Sequence, residues 1–134
     1  METNEHSSDW RLFHGGAYGR PGHTNMRVTV NSRNYLYFNE AAFEALGNPV
    51  AVEFYYSERL HAIGVKSAEA KVGSAFPCYP KKYGRGYYIR ASAFLHHKKL
   101  IVEGTVQFNR ISFDHQGMMM LPLHFVTRVG RGAR

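Results

Sequence analysis

The sequence predicts a small, mainly β domain assembled from two tandem units, each running strand, strand, short helix and hairpin. Two observations carry this. Short segments alternate apolar and polar residues with the period of a strand, as in "MRVTVNS", where Val28 and Val30 share one face and Arg27 and Thr29 the other. The same order of elements then returns about 51 residues later. At that offset "NSRNYLYFNEAAF" lies on "KYGRGYYIRASAF", so that Tyr37 meets Tyr88, Ala42 meets Ala93 and Phe43 meets Phe94.

The elements follow in order. Residues 1–25 read as a flexible N-terminal arm: a polar lead-in, then the Gly-rich "FHGGAYGRPGHTN". That stretch lacks the Lys-Ser/Thr ending of a phosphate loop. Residues 26–70 form the first unit. After the strand around Val28 comes a turn at Arg33-Asn34, then the aromatic strand "YLYF". "NEAAFEALG" predicts a short helix over Glu40–Leu46. Asn39 can cap it, Glu40 suits its first turn, and Gly47 and Pro49 end it. "VAVEFYY" and "AIGVKS" are strands flanking a turn at "SERLH". Residues 71–127 form the second unit, with its helix over Ser92–Lys98 and a buried strand at "MMML". Residues 128–134 are a basic tail. The two units are expected to share a core through Phe43, Phe54, Phe94 and Phe108 about a pseudo-two-fold axis.

Charge separates the two units. The net charge is +7, which favours anionic partners. From Lys71 to Leu100 there are seven Lys or Arg residues and no acid, whereas from Asn31 to Ala70 five glutamates face three bases. Glu40 and Glu44 are expected to lie near the first basic turn, so the second should be the stronger anion binder. The single Cys78 cannot form an intrachain disulfide and argues against a cysteine zinc site. His96 and His97 diverge, and His115 and His124 lack a ligand pattern, so no metal or other cofactor is expected. No nucleophile motif is present, and Glu53 and Glu103 read as single surface carboxylates on strands rather than catalytic groups. The polar start and the lack of a long apolar run predict a cytoplasmic protein with no membrane partner.

"VNSRNYLYFNEAAFEALG" followed by "AVEFYYSERLHAIGVKS" resembles the AbrB/MazE/SpoVT family of DNA-binding domains. The likeness covers roughly Arg27 to Ser67. It departs from the family's pattern at Asn39, where Pro is usual, and at Asn34, where Gly is usual; Asn tolerates a left-handed backbone. The tandem arrangement resembles that of MraZ-like members. The resemblance implies a swapped-hairpin β-barrel, with the basic turn before the second strand facing DNA. By position this brings in Arg27, Ser32, Arg33 and Asn34 from the first unit, and Lys81, Lys82 and Arg85 from the second. Arg90, on the strand that follows, joins the candidate nucleic-acid-binding set.

The implied function is a non-enzymatic transcriptional regulator that grips duplex DNA with basic loops. Two further readings stand beside it. One is an interaction module of a larger assembly, of phage or ribonucleoprotein type, or a homo-oligomer. The other is an antitoxin, although the tail is basic where an antitoxin's is usually acidic. A single-stranded or RNA partner would instead stack its bases on Tyr83 or Tyr87.

Overall fold

The computed structural model describes residues 25–129; the arm assigned to residues 1–25 and the end of the basic tail lie almost wholly outside them. The strands are β1 (Val28–Val30), β2 (Tyr35–Phe38), β3 (Ala51–Ser57), β4 (Ala62–Ala68), β5 (Phe76–Pro77), β6 (Tyr79–Pro80), β7 (Tyr87–Arg90), β8 (Thr105–Phe108), β9 (Ser112–Phe113), β10 (Met119–Pro122) and β11 (Val126–Val129). The helices are α1 (Glu40–Ala45) and α2 (Ser92–His97). They form two antiparallel sheets, ordered β11-β8-β1-β2-β7-β6 and β5-β3-β4-β10-β9. The expected barrel is thus a pair of sheets, and no hydrogen-bonded ring closes among the described residues.

The alternation read in the sequence decides which side of each sheet is apolar. Val28, Val30, Leu36, Phe38, Ile89 and Phe108 point inward from the six-stranded sheet, and Val52, Ile63, Val65, Met119 and Leu121 from the five-stranded one. All belong to one buried cluster, which both helices seal with Phe43, Leu46, Phe94 and Leu95. Phe54 packs against this cluster, and its ring stacks on Phe94 at 4.9 Å, joining the two units. Burying such side chains is worth roughly 1.5–3 kcal/mol each.

Strands of the two units expected from the sequence are interleaved. β1 pairs with β8 of the second unit, and β5 with β3 of the first. In the middle of the six-stranded sheet, β2 runs against β7 with Leu36 opposite Ile89, Tyr37 opposite Tyr88 and Phe38 opposite Tyr87. With an offset of 51, this is the register that a two-fold axis through the Tyr37–Tyr88 pair requires. The outer strands depart from it. β1 is a single strand, while its counterpart breaks at Cys78, so that β5 joins one sheet and β6 the other. The second hairpin also divides, with β8 and β11 in the six-stranded sheet and β9 and β10 in the five-stranded one.

Local rules explain the joints. Asn39, where the resemblance led one to expect Pro, is more than a cap. Its Oδ1 accepts from the backbone N–H of Ala42 and of Arg27, and its Nδ2 donates to the Asn25 carbonyl. It therefore ties the start of α1 to the start of β1, rigidity of a different kind from that of a proline ring. Asn34 takes the left-handed backbone with φ 67°, as the turn demands.

Candidate nucleic-acid interface

The outer face of the six-stranded sheet is built from residues alternating with the core set. Registers across the sheet align Thr127, Gln107, Thr29, Tyr37, Tyr88 and Tyr79 in one row. Tyr35 and Arg90 face each other in the next row of this face. None of the six strands contains an Asp or Glu.

Four tyrosines on this face contact one another. Tyr79 stacks on Tyr88 at 5.3 Å, and Tyr88 on Tyr35 at 5.4 Å. Tyr37 tilts against Tyr88 at 5.9 Å and against Tyr35 at 6.3 Å. Cations cover ring faces at the rim. Arg33 lies 5.5 Å from the Tyr35 centroid, Lys81 5.6 Å from Tyr37, and Arg90 4.9 Å from Tyr79. A hydrogen bond to Tyr88 and the nearby Tyr35 and Tyr79 push the Arg90 pKa above its already high ordinary value. Such contacts hold long basic side chains in place at little cost, each worth about 0.5–1 kcal/mol when exposed.

The sequence-predicted residues divide by position. Arg33 covers Tyr35, and Arg90, opposite Tyr35 in the strand register, extends over Tyr79. Arg27, Lys81 and Arg85 line a shallow cleft of about 410 Å³, with Thr29, Tyr37, Phe38 and Asn39. Ser32 and Lys82 are exposed in the two turns, Lys82 over the ring of Tyr83. Asn34 is occupied structurally. Its carbonyl accepts from Ala91 N–H at 2.9 Å, and its side chain meets His96 Nε2 at 3.3 Å.

Two expectations are corrected. Glu40, expected beside the first basic turn, has its ion pair with the second. It pairs with Arg85 of the second, Nη1 to Oε1 3.1 Å, because the hairpin between β6 and β7 folds over the start of α1. Tyr87 is no base-stacking residue, since strand alternation turns it inward, where its ring stacks on Phe43 at 3.8 Å. Tyr83 does stand out at the hairpin tip, 77% exposed. Tyr35, Tyr37, Tyr79 and Tyr88 lie outside the set of residues to which the sequence points. Their i, i+2 spacing on β2 was visible, but their convergence depends on β2 pairing with β7.

Elsewhere, His124 packs on His61 at 4.6 Å, and Tyr56 hydroxyl meets His61 Nδ1 at 2.8 Å. Among the described residues no three His, Cys, Asp or Glu side chains come together as a metal site. Glu53 accepts from Ser74 and from Tyr55 on the five-stranded sheet. Glu103 sits in the loop before β8 rather than on a strand. No described helix is long and apolar enough to cross a membrane. No family model, curated protein or solved structure matches the chain.

Proposed function

We propose that the protein binds duplex DNA, as a transcriptional regulator of AbrB type, through the outer face of its six-stranded sheet. The observation that carries this reading is the acid-free set of six strands on which Arg33, Lys81 and Arg90 are each seated over a tyrosine ring. Pairing of β1 with β8 and of β5 with β3 interleaves the two halves of the chain, the feature that favours a comparison with interleaved folds. The tyrosine ladder favours backbone contact over base stacking. Its ring faces are taken up by one another and by cations, so hydroxyls, guanidinium groups and an ammonium are what it offers a ligand. A duplex presents phosphates in that way, whereas a single strand needs open ring faces.

The triple change Arg33→Ala, Lys81→Ala, Arg90→Ala tests this. Duplex affinity falls, and the slope of log affinity against log salt shrinks by roughly 2 to 3 units, about 0.9 per phosphate contact. Wild-type protein that fails to bind mixed duplex DNA at low salt overturns the reading. The second reading, a docking module of a larger assembly, is favoured by an apolar cavity of about 570 Å³ that includes Leu95, Leu100, Val106, Val126 and the 86% exposed Ile101. Ile101→Asp would then change the size of the assembly in solution, with DNA affinity untouched.

A further inference from the structure

We infer that the cleft between β1 and the β6–β7 hairpin is a discrete seat for a phosphate group, and that Glu40 occupies the phosphate's place on Arg85 until the ligand arrives. The inference deepens the DNA-binding reading and rests on it only for the ligand's source.

The cleft is lined by Arg27, Thr29, Tyr37, Asn39, Lys81 and Arg85 around Phe38. Its available polar groups are mostly donors. The Asn39 side chain is already committed, its oxygen to two backbone N–H groups and its nitrogen to the Asn25 carbonyl. What remains is two guanidinium groups, one ammonium and two hydroxyls. Lys81 is placed over Tyr37 at 5.6 Å, and its backbone N–H closes the hairpin on Gly86 O at 2.9 Å, so the ammonium is carried by a fixed loop. The loop in turn is fixed at Gly86, with φ 105°, where a Cβ would meet the Phe38 carbonyl at 2.6 Å.

One carboxylate reaches the rim of this donor set. Glu40 Oε1 takes Arg85 Nη1 at 3.1 Å. A carboxylate and a phosphate offer a guanidinium the same oxygen geometry, so each can stand in for the other. The pair is exposed on both sides and therefore weak enough to exchange. A backbone diester matches Glu40 in charge and a free phosphate exceeds it, and in the cleft either one also gains Arg27 and Lys81, which Glu40 at the rim does not. The phosphate displaces the carboxylate, and Arg85 changes partner. The shared chemistry is the phosphate group, whether a diester of a nucleic-acid backbone or a free phosphate.

The test follows cleft amide and arginine side-chain NMR shifts during titration with inorganic phosphate, in parallel with binding of a short mixed-sequence duplex. Arg27→Ala and Lys81→Ala each weaken phosphate binding about fivefold or more. Arg33→Ala, outside the cleft lining, weakens duplex binding alone. Glu40→Gln, nearly isosteric, strengthens both ligands about two- to fivefold by releasing Arg85. Thermal unfolding of each variant confirms that the fold is intact, and Arg27→Lys, which keeps the charge, serves if Arg27→Ala is unstable. Equal loss of phosphate binding in Arg33→Ala and Arg27→Ala, or no gain in Glu40→Gln, overturns the inference. Duplex binding without any phosphate-induced shift in the cleft also overturns it, while leaving the DNA reading standing. Phosphate binding without duplex binding sustains the seat, identifies free phosphate as its source, and removes the DNA reading.

Discussion

Single residues carry the strain and the ties of this fold. Gly86 adopts φ 105° against the Phe38 carbonyl, a geometry closed to any side chain. Gly86→Ala is expected to cost roughly 1–3 kcal/mol in urea unfolding, the range for a forced left-handed backbone. Asn39→Ala removes a helix cap and the link to β1 together, and should cost about 1–2 kcal/mol by the same measurement. Cys78 stands at the break between β5 and β6, where burial pushes its thiol up from 9.0 to about 11. At pH 8 its thiolate is therefore about a hundredfold scarcer than that of an unburied thiol, and alkylation by iodoacetamide should slow accordingly. The raised value also sets the sign of a stability effect. The unfolded chain loses this proton first, so the contribution is intact below pH 9 and is lost as pH rises toward 11. Iodoacetamide labelling as fast as that of free cysteine would show that the thiol is not shielded.

At the scale of elements, the β6–β7 hairpin joins the surface to the core. Its tip presents Lys81, Lys82 and Tyr83, and two residues past its closing glycine the strand has already alternated outward again to Tyr88. Tyr83 and Tyr87 are close in sequence but face different surroundings. Tyr87→Ala removes the stack on Phe43 and should lower the unfolding free energy by about 3 kcal/mol, the lower end for a large aromatic truncation. Tyr83→Ala should stay within about 0.5 kcal/mol, as exposed substitutions do. Denaturation curves of the two variants separate these outcomes; similar losses would mean that Tyr83 is packed. The hairpin also brings Arg85 to Glu40, a neighbour 45 residues away that no local pattern announced.

On the scale of the whole molecule, neither unit owns a complete sheet. β1 and β2 are flanked by β8 and β7, and β4 is flanked by β10, so the strand edges of each half are paired with strands of the other. A chain cut after residue 70 loses those partners and exposes Val28, Leu36, Ile63 and Val65. Residues 25–70 alone should give no cooperative unfolding transition as a monomer, and regain one only by pairing with a second copy. Calorimetry and sedimentation of the fragment check this; a stable folded monomer would show that the interlocking is dispensable.

Much of this could be read along the chain, and the reason is local. Period-two alternation fixes which side of β1 is apolar wherever the strand is placed, and capping and termination signals bounded α1 to within a residue. The basic turns, too, were legible as turns. What the alternation cannot say is which strands become neighbours, because pairing is a contest among many similar edges decided by the common core. That contest broke the second unit's first strand at Cys78 and bent its hairpin between two sheets where a barrel had been expected. It aligned Tyr79, Tyr88 and Tyr35 across three strands, and turned Glu40 toward Arg85. By itself the sequence determined β1, β2, both helices, the β3–β4 hairpin and the excess of positive charge, because each depends on composition or on a few neighbouring residues. Only the tertiary structure decided where those charges meet, since the residues that hold them lie dozens of positions apart and are brought together by burying both halves in one core.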